Sequence, residues 1–108
     1  MPGLPARVPS LWPLEIANTL LVGERRGRTS SAEAARFLKL LGTFPIAVDA
    51  ETVARAWGDT ILLARTHRLS VYDASYLELA IRLGLPLATL DRRLKSAAAS
   101  AGVPLFAV

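Results

Sequence analysis

The sequence predicts an α/β fold in which helices cover a short parallel sheet. Three short apolar segments have the length and composition of buried strands, at residues 44–48, 87–90 and 103–108. Between them, apolar residues recur at the three- and four-residue spacing of amphipathic helices. Strands that alternate with helices are typical of a parallel sheet with helices on its faces. Only three strands are clear, so the sequence predicts most of such a fold rather than all of it.

Length and composition indicate one compact domain without covalent cross-links. The chain has 108 residues, 52% of them hydrophobic, and it contains no cysteine. Zinc–thiolate sites, thiol nucleophiles and disulfide frameworks are therefore excluded, and a reducing cytoplasm is the expected location. No apolar run approaches the roughly 20 residues that span a bilayer, so we expect no membrane segment.

The charge balance indicates an anionic partner. Thirteen Lys and Arg residues outnumber nine Asp and Glu residues, which gives a net charge of +4 and a pI near 10.3. An excess of basic residues favours a nucleic acid as the partner, and charge that serves solubility alone is the alternative.

The first half of the chain predicts two helices after an irregular start. Residues 1–9 contain three prolines and a glycine and indicate a lead-in or a short edge segment. The first helix begins near Ser10, where apolar residues start to recur at helical spacing. Ser30 and Glu33 form the S-x-x-E pattern of a capping box, which opens a second helix that Gly42 ends.

A third helix is predicted after the first clear strand. Asp49 is expected to cap it, and its apolar residues Val53, Trp57 and Ile61 follow a four-residue spacing. Trp12 in the first helix and Trp57 in the third both fall on apolar faces. Both tryptophans are therefore predicted to lie in the core rather than to stack on nucleic-acid bases.

Two further helices complete the pattern. Ser70 and Asp73 form a second cap pattern, and the helix that follows ends at Gly84. Asp91 is expected to open the last helix, over residues 92–101.

Three acidic residues, Glu15, Asp73 and Asp91, stand where a helix begins or where a strand gives way to a helix. In an α/β sheet such positions converge on one edge, where ligands and metals bind. Carboxylates that gather in so apolar a chain indicate a divalent cation, and hence metal-assisted phosphodiester chemistry. Each acid alone also fits a structural role, as a capping-box acid, an N-cap or a first-turn acid that complements the helix dipole.

Basic residues next to these acids are candidates for contact with nucleic acid. Arg92, Arg93 and Lys95 directly follow Asp91 and are predicted to bind an RNA backbone. His67 is the single histidine and lies near a predicted helix C-terminus, where its charge suits the dipole. We therefore expect His67 to be a surface residue rather than a catalytic one.

Three segments resemble, in order and spacing, the later motifs of PIN-domain proteins of the VapC toxin type. They read VPSLWPLEIAN at residues 8–18, LSVYDASYLELA at residues 69–80 and LPLATLDRRL at residues 85–94. The resemblance implies a PIN-like three-layer sandwich, with a short parallel sheet flanked by helices. The middle motif is the most specific of the three.

The same resemblance implies a function. VapC-type proteins are Mg²⁺- or Mn²⁺-dependent endoribonucleases that a cognate VapB antitoxin holds inactive. By this similarity Glu15, Asp73 and Asp91 are the catalytic, metal-binding acids, and Thr89 is a supporting polar residue.

The start of the chain departs from the family pattern. Family members begin with a central strand that ends in an Asp, whereas only fourteen residues precede Glu15 and none is an Asp. We therefore expect residues 1–108 to form a single PIN-like domain that is truncated at its N-terminus and lacks the first strand and its acid. Cleavage is expected to be impaired, and a homodimer is expected to cover the exposed strand edge.

Two alternatives to the nuclease remain at this point. The first is a non-catalytic, degenerate PIN module that binds an antitoxin or a dimer partner through apolar helix faces at residues 11–22 and 34–41. The second is a metal-free nucleic-acid-binding domain, which charge alone supports.

Overall fold

The structure, a computed structural model, describes residues 5–106, and the chain divides into two compact units, Met1–Val48 and Asp49–Val108. The first unit contains β1 (Ala6–Val8), α1 (Trp12–Arg25), α2 (Ser31–Leu41) and β2 (Ile46–Val48). The second unit contains α3 (Thr52–Arg55), a π-helical turn (Ala56–Thr60), α4 (Ile61–His67), α5 (Val71–Leu83) and α6 (Arg92–Ser100).

The first unit holds a two-stranded parallel sheet. β1 pairs with β2 in a register that places Ala6 beside Ile46 and Val8 beside Val48. Helices α1 and α2 form the connection between the strands, as parallel pairing requires. The α/β class is thus confirmed, and β1 lies in the segment that was predicted as a lead-in or a short edge segment.

The caps of α2 form as its sequence predicts. The Oγ of Ser30 accepts the backbone N–H of Glu33 at 3.1 Å, and the Oε1 of Glu33 accepts the backbone N–H of Ser30 at 3.1 Å. Two N–H groups that would lack helical partners are thereby satisfied. The predicted stop is also confirmed, because Gly42 is the C-cap.

The second unit has a continuous apolar core in which α5 is the central helix. Leu77 and Ala74 of α5 are fully buried, and α5 contacts α4, α6 and the π-helical turn. The core consists of Ala64, Leu69, Ala74, Leu77, Ala80, Leu87, Leu94, Ala97, Ala98 and Val103. The predicted bounds of α5 and α6 are confirmed to within a residue, since Gly84 ends α5 in the left-handed conformation (φ 65°) and α6 ends at Ser100.

The third helix is predicted as one element, and it is continuous over residues 52–67, but it contains a π-helical turn at Ala56–Thr60. A π-helical turn carries an extra residue, so it rotates the faces before and after it out of phase. Thr52 and Thr60 are buried, whereas Val53 is 72% exposed and Trp57 is 95% exposed. The expectation that Trp57 lies in the core is therefore wrong. The N-cap position of α3 is Glu51 rather than the predicted Asp49, whose carboxylate accepts the Thr52 hydroxyl at 2.8 Å.

The strands predicted at residues 87–90 and 103–108 are much shorter than expected. Within the described range they meet in a single parallel bridge between Leu87 and Leu105. The N–H of Leu87 donates to the carbonyl of Pro104 at 2.9 Å, and the N–H of Phe106 donates to the carbonyl of Leu87 at 2.8 Å. Pro104 has no N–H to extend the ladder. The end of the predicted strand, residues 107–108, lies outside the described residues.

None of the helices in residues 5–106 has the length and apolar character needed to cross a bilayer.

Candidate active site

Asp73 is the third residue of α5. The N-cap Ser70 accepts the backbone N–H of Asp73 on its Oγ at 3.0 Å. Unlike Glu33 of α2, Asp73 makes no side-chain bond back to its N-cap residue in the part of the chain that the structure describes. The cap therefore uses the backbone N–H of Asp73 and does not use its carboxylate. The residue as a whole is half-buried.

Asp91 is the N-cap of α6. Its Oδ1 accepts the N–H of Leu94 at 2.8 Å, and its own N–H donates to the Oγ1 of Thr89 at 3.0 Å. The predicted structural role of Asp91 is thus confirmed. These two bonds fix the side chain and the backbone of Asp91. Only the bond to Leu94 uses a carboxylate oxygen. Thr89 is the supporting polar residue that the sequence motif names, and it contacts the Asp91 backbone.

Glu15 lies in the first unit, in the first turn of α1. A carboxylate there complements the positive end of the helix dipole. Thr19, one turn further along, donates its hydroxyl to the Glu15 carbonyl oxygen at 2.9 Å. The Glu15 side chain is half-buried.

The acidic residues of the second unit fall into two groups by their partners. Four of them form ion pairs with Arg55 or Arg82 at N–O distances between 2.7 and 3.9 Å, namely Asp49, Glu51, Asp59 and Glu78. Asp73 and Asp91 form no ion pair with any described residue. These are the two acids of this unit that the sequence pattern predicts for the site.

Arg82 sits at the centre of the ion-paired group. Its guanidinium binds Asp49 through Nη1–Oδ1 (3.1 Å) and Nη2–Oδ2 (2.7 Å), and Glu78 through Nε–Oε2 (2.7 Å) and Nη2–Oε1 (3.0 Å). The side chains of Arg82, Asp49 and Glu78 are only 12%, 9% and 3% exposed.

The ionisation of this group follows from its hydrogen bonds. Those from Arg82 lower the pKa of Asp49 from 3.8 to about 2, against the effect of burial. Those to Glu78 and Asp49 raise the pKa of Arg82. The spacing of Glu78 and Arg82 on α5 would have predicted half of this group. Asp49 lies 33 residues from Arg82, and no local pattern connects them.

The predicted RNA-binding residues all fall in the first turns of α6. Arg92 and Arg93 are exposed and Lys95 is half-buried. Across residues 5–106, no group of three or more Asp, Glu or His side chains is arranged to hold a metal ion. Of the predicted acids, Glu15 lies in the first unit, and Asp73 and Asp91 lie in the second.

Comparison with known proteins identifies the family. The sequence profile of the PIN domain matches residues 6–100, from β1 through α6. Ribonuclease VapC3 of Pyrobaculum aerophilum is 40% identical over 80 residues, a stretch that covers 74% of this chain and 61% of that protein. The chain thus spans less than two thirds of the length of this curated relative. On the strength of the profile match, the chain belongs to the PIN-domain family and resembles the VapC type within it.

Proposed function

We propose that this chain is a metal-dependent endoribonuclease of the cytoplasm, the toxin of a toxin–antitoxin pair, which hydrolyses phosphodiester bonds of RNA. The observation that carries the proposal is that the acids of the second unit divide into those paired with arginine and those that are not. Asp73 and Asp91 are not neutralised by a described arginine, whereas the other four acids are. Membership of the PIN family and the similarity to a protein named as a ribonuclease support the same conclusion.

The donor chemistry of these residues fits a hard divalent cation. Mg²⁺ and Mn²⁺ favour carboxylate oxygens, and Mg²⁺ keeps several waters, so one or two carboxylates suffice as protein ligands. Asp73 and Asp91 of the second unit would hold the ion, and the assignment of Glu15 as a further ligand rests on the family resemblance. Such an ion supplies an activated water and stabilises the leaving oxygen.

The surrounding residues position these acids. The Ser70 cap fixes the start of α5, and the Thr89 and Leu94 bonds fix Asp91 at the start of α6. Both helices adjoin the extended segment at Leu87, one before it and one after it. In such α/β connections both helix N-termini face the carboxyl end of the extended segment, so we expect Asp73 and Asp91 to share that edge. Arg92, Arg93 and Lys95 would then orient the RNA backbone.

The test is Mn²⁺ binding by calorimetry, together with cleavage of a single-stranded RNA in Mn²⁺. Asp73→Asn and Asp91→Asn should each lose both metal binding and cleavage. Asp59→Asn is the matched control, because Asp59 is exposed and its 3.9 Å pair with Arg55 is a weak surface pair. The proposal fails if the control loses Mn²⁺ binding as much as the two site variants do.

A non-catalytic binding module is the second candidate, and one observation favours it. The α2 side chains Phe37, Leu38 and Leu40 are 44%, 48% and 58% exposed. Phe37 and Leu40 lie three positions apart and share a face of α2. Exposed apolar side chains of this kind are typical of an interface, here with a cognate antitoxin or a second copy. An absence of Mn²⁺ binding and cleavage in a chain that still associates would select this candidate over the nuclease.

A further inference from the structure

An open cleft of about 480 Å³ lies between the end of α4 and one face of α6 in the second unit. Its polar lining consists of Thr66, His67, Arg68, Arg93, Ser96 and Ser100. The α6 residues lie three and four positions apart and therefore share one face of the helix. The cleft thus combines two guanidinium groups, one imidazole and three hydroxyl groups on a concave surface.

The charge of the cleft is uncompensated by acids. Neither Arg68 nor Arg93 forms an ion pair with any residue of the described range, and no acidic side chain is part of the lining. Arg55 and Arg82, by contrast, are both paired with carboxylates. Guanidinium and hydroxyl donors without an internal acceptor match the oxygens of a phosphate group.

Both arginines occupy positions where the local backbone disfavours them. Arg68 ends α4 in the left-handed conformation (φ 55°, ψ 43°), which the C-cap of α5 assigns to Gly84. Arg93 lies in the first turn of α6, where the positive end of the helix dipole disfavours a cation. The helix dipole favours a cation at Arg68 but does not account for its left-handed backbone, and it opposes the charge of Arg93, so an interaction of these side chains with an anion would explain both positions.

We propose that this cleft is a phosphate subsite that binds one phosphodiester group of an RNA strand beside the scissile bond. The choice of RNA as the ligand rests on the proposed function. The lining segments adjoin both predicted acids in the chain, because Arg68 precedes Asp73 by five residues and Arg93 follows Asp91 by two. A strand bound at the acids would then extend along these segments towards the cleft.

The first experiment measures binding of a labelled single-stranded RNA octamer by fluorescence anisotropy in EDTA over a range of NaCl concentrations. Because log K falls as log [NaCl] rises, Arg68→Gln and Arg93→Gln should each make this negative slope shallower by about 0.7. Arg65→Gln is the control, because Arg65 is exposed on α4 but does not line the cleft. Equal losses in the control and in the cleft variants would overturn the proposal.

A second variant separates binding from folding. Arg68→Gly relieves the left-handed strain, so it should raise Tm and still weaken RNA binding. A higher Tm with unchanged RNA affinity would overturn the proposal. Titration of the Ser96 and Ser100 amides by NMR distinguishes the ligand source. The octamer should shift both signals, and shifts with inorganic phosphate but not with the octamer would refute an RNA subsite.

These readouts do not depend on catalysis. A chain that never cleaves RNA but loses affinity selectively in the cleft variants retains the subsite and loses the proposed nuclease function. A chain that cleaves RNA with unchanged KM in the cleft variants retains the nuclease function and loses the subsite.

Discussion

Arg82 neutralises two nearly buried carboxylates at once, those of Asp49 and Glu78. Such a group resists the loss of any member, because removal of one partner leaves an uncompensated charge in a poorly solvated place. The Arg82 group joins the residue that precedes α3 to the last turns of α5. We therefore assign it a structural role, distinct from that of Asp73 and Asp91, which form no ion pair within residues 5–106.

The Asp49 carboxylate should make folding stability dependent on pH. Its pKa falls from 3.8 to about 2 in the folded chain, so its contribution is present above pH 3.8 and is lost as the pH falls through about 2. This shift corresponds to about 2 kcal/mol. Asp49→Asn should cost about that much at pH 7 in urea denaturation, and the difference from the parent chain should narrow between pH 4 and pH 2. A difference that is independent of pH would contradict this assignment.

Substitutions at Asp73 and at its cap residue Ser70 should affect cleavage and folding stability separately. Asp73→Asn removes a carboxylate that no described residue pairs with, so the free energy of unfolding should change by less than about 0.5 kcal/mol. Ser70→Ala removes the cap oxygen and should cost about 1 kcal/mol. Cleavage should be lost in Asp73→Asn and kept in Ser70→Ala. If Asp73→Asn destabilises the chain as much as Ser70→Ala, the carboxylate has a structural role instead.

At the scale of elements, the third helix contains a π-helical turn at Ala56–Thr60 and packs a different face on the core from the predicted one. Thr52 and Thr60 are buried, whereas Trp57 is exposed. The Oγ1 of Thr52 donates to Asp49 at 2.8 Å. The Oγ1 of Thr60 is buried without a hydrogen-bond partner among the described residues. The third helix therefore buries a polar face. The unpaired hydroxyl of Thr60 costs stability that other contacts of this helix must offset.

Gly58 in the π-helical turn and Gly84 at the end of α5 should respond to alanine in opposite directions. A Cβ added at Gly58, inside the π-helical turn, would meet no atom within 4 Å. Gly58→Ala should therefore stabilise the chain by about 0.5–1 kcal/mol, by reducing the freedom of the unfolded backbone. Gly84→Ala should destabilise it by about 1 kcal/mol, because Gly84 has φ 65°. Urea denaturation measures both, and a destabilising Gly58→Ala would show that the turn requires glycine.

At the scale of the whole molecule, the exposed apolar side chains indicate association. Phe37, Leu38 and Leu40 of α2 are all more than 40% exposed, and the net charge of +4 is modest. An exposed apolar surface of this kind favours a partner over water. A homodimer is the association that the chain can form without another protein.

Sedimentation equilibrium should therefore detect a dimer at micromolar concentrations. Leu40→Glu should shift the equilibrium towards monomer, because a charge would be desolvated in the interface. Lys39→Glu, on the same helix, is the matched control for a negative charge. A monomer at all concentrations, or an equal effect of the two substitutions, would contradict the homodimer.

Much of this chain is determined by short-range patterns. The Ser30, Ser70 and Asp91 caps, the glycine stops and the acids at the starts of α5 and α6 can all be predicted, because each signal acts over two to four residues. The PIN family could be predicted for the same reason, since its motifs are local and retain their order.

The tertiary structure decided what depends on distant segments. The ion pair of Asp49 with Arg82 joins residues 33 positions apart, and the cleft that Arg68 and Arg93 share depends on how α4 and α6 each pack against α5. The exposure of Trp57 depends on which face of the third helix packs against α5, and a periodic pattern does not decide between adjacent faces. Each of these outcomes reflects a competition among partners for burial and charge, and that competition exists only when the chain is folded.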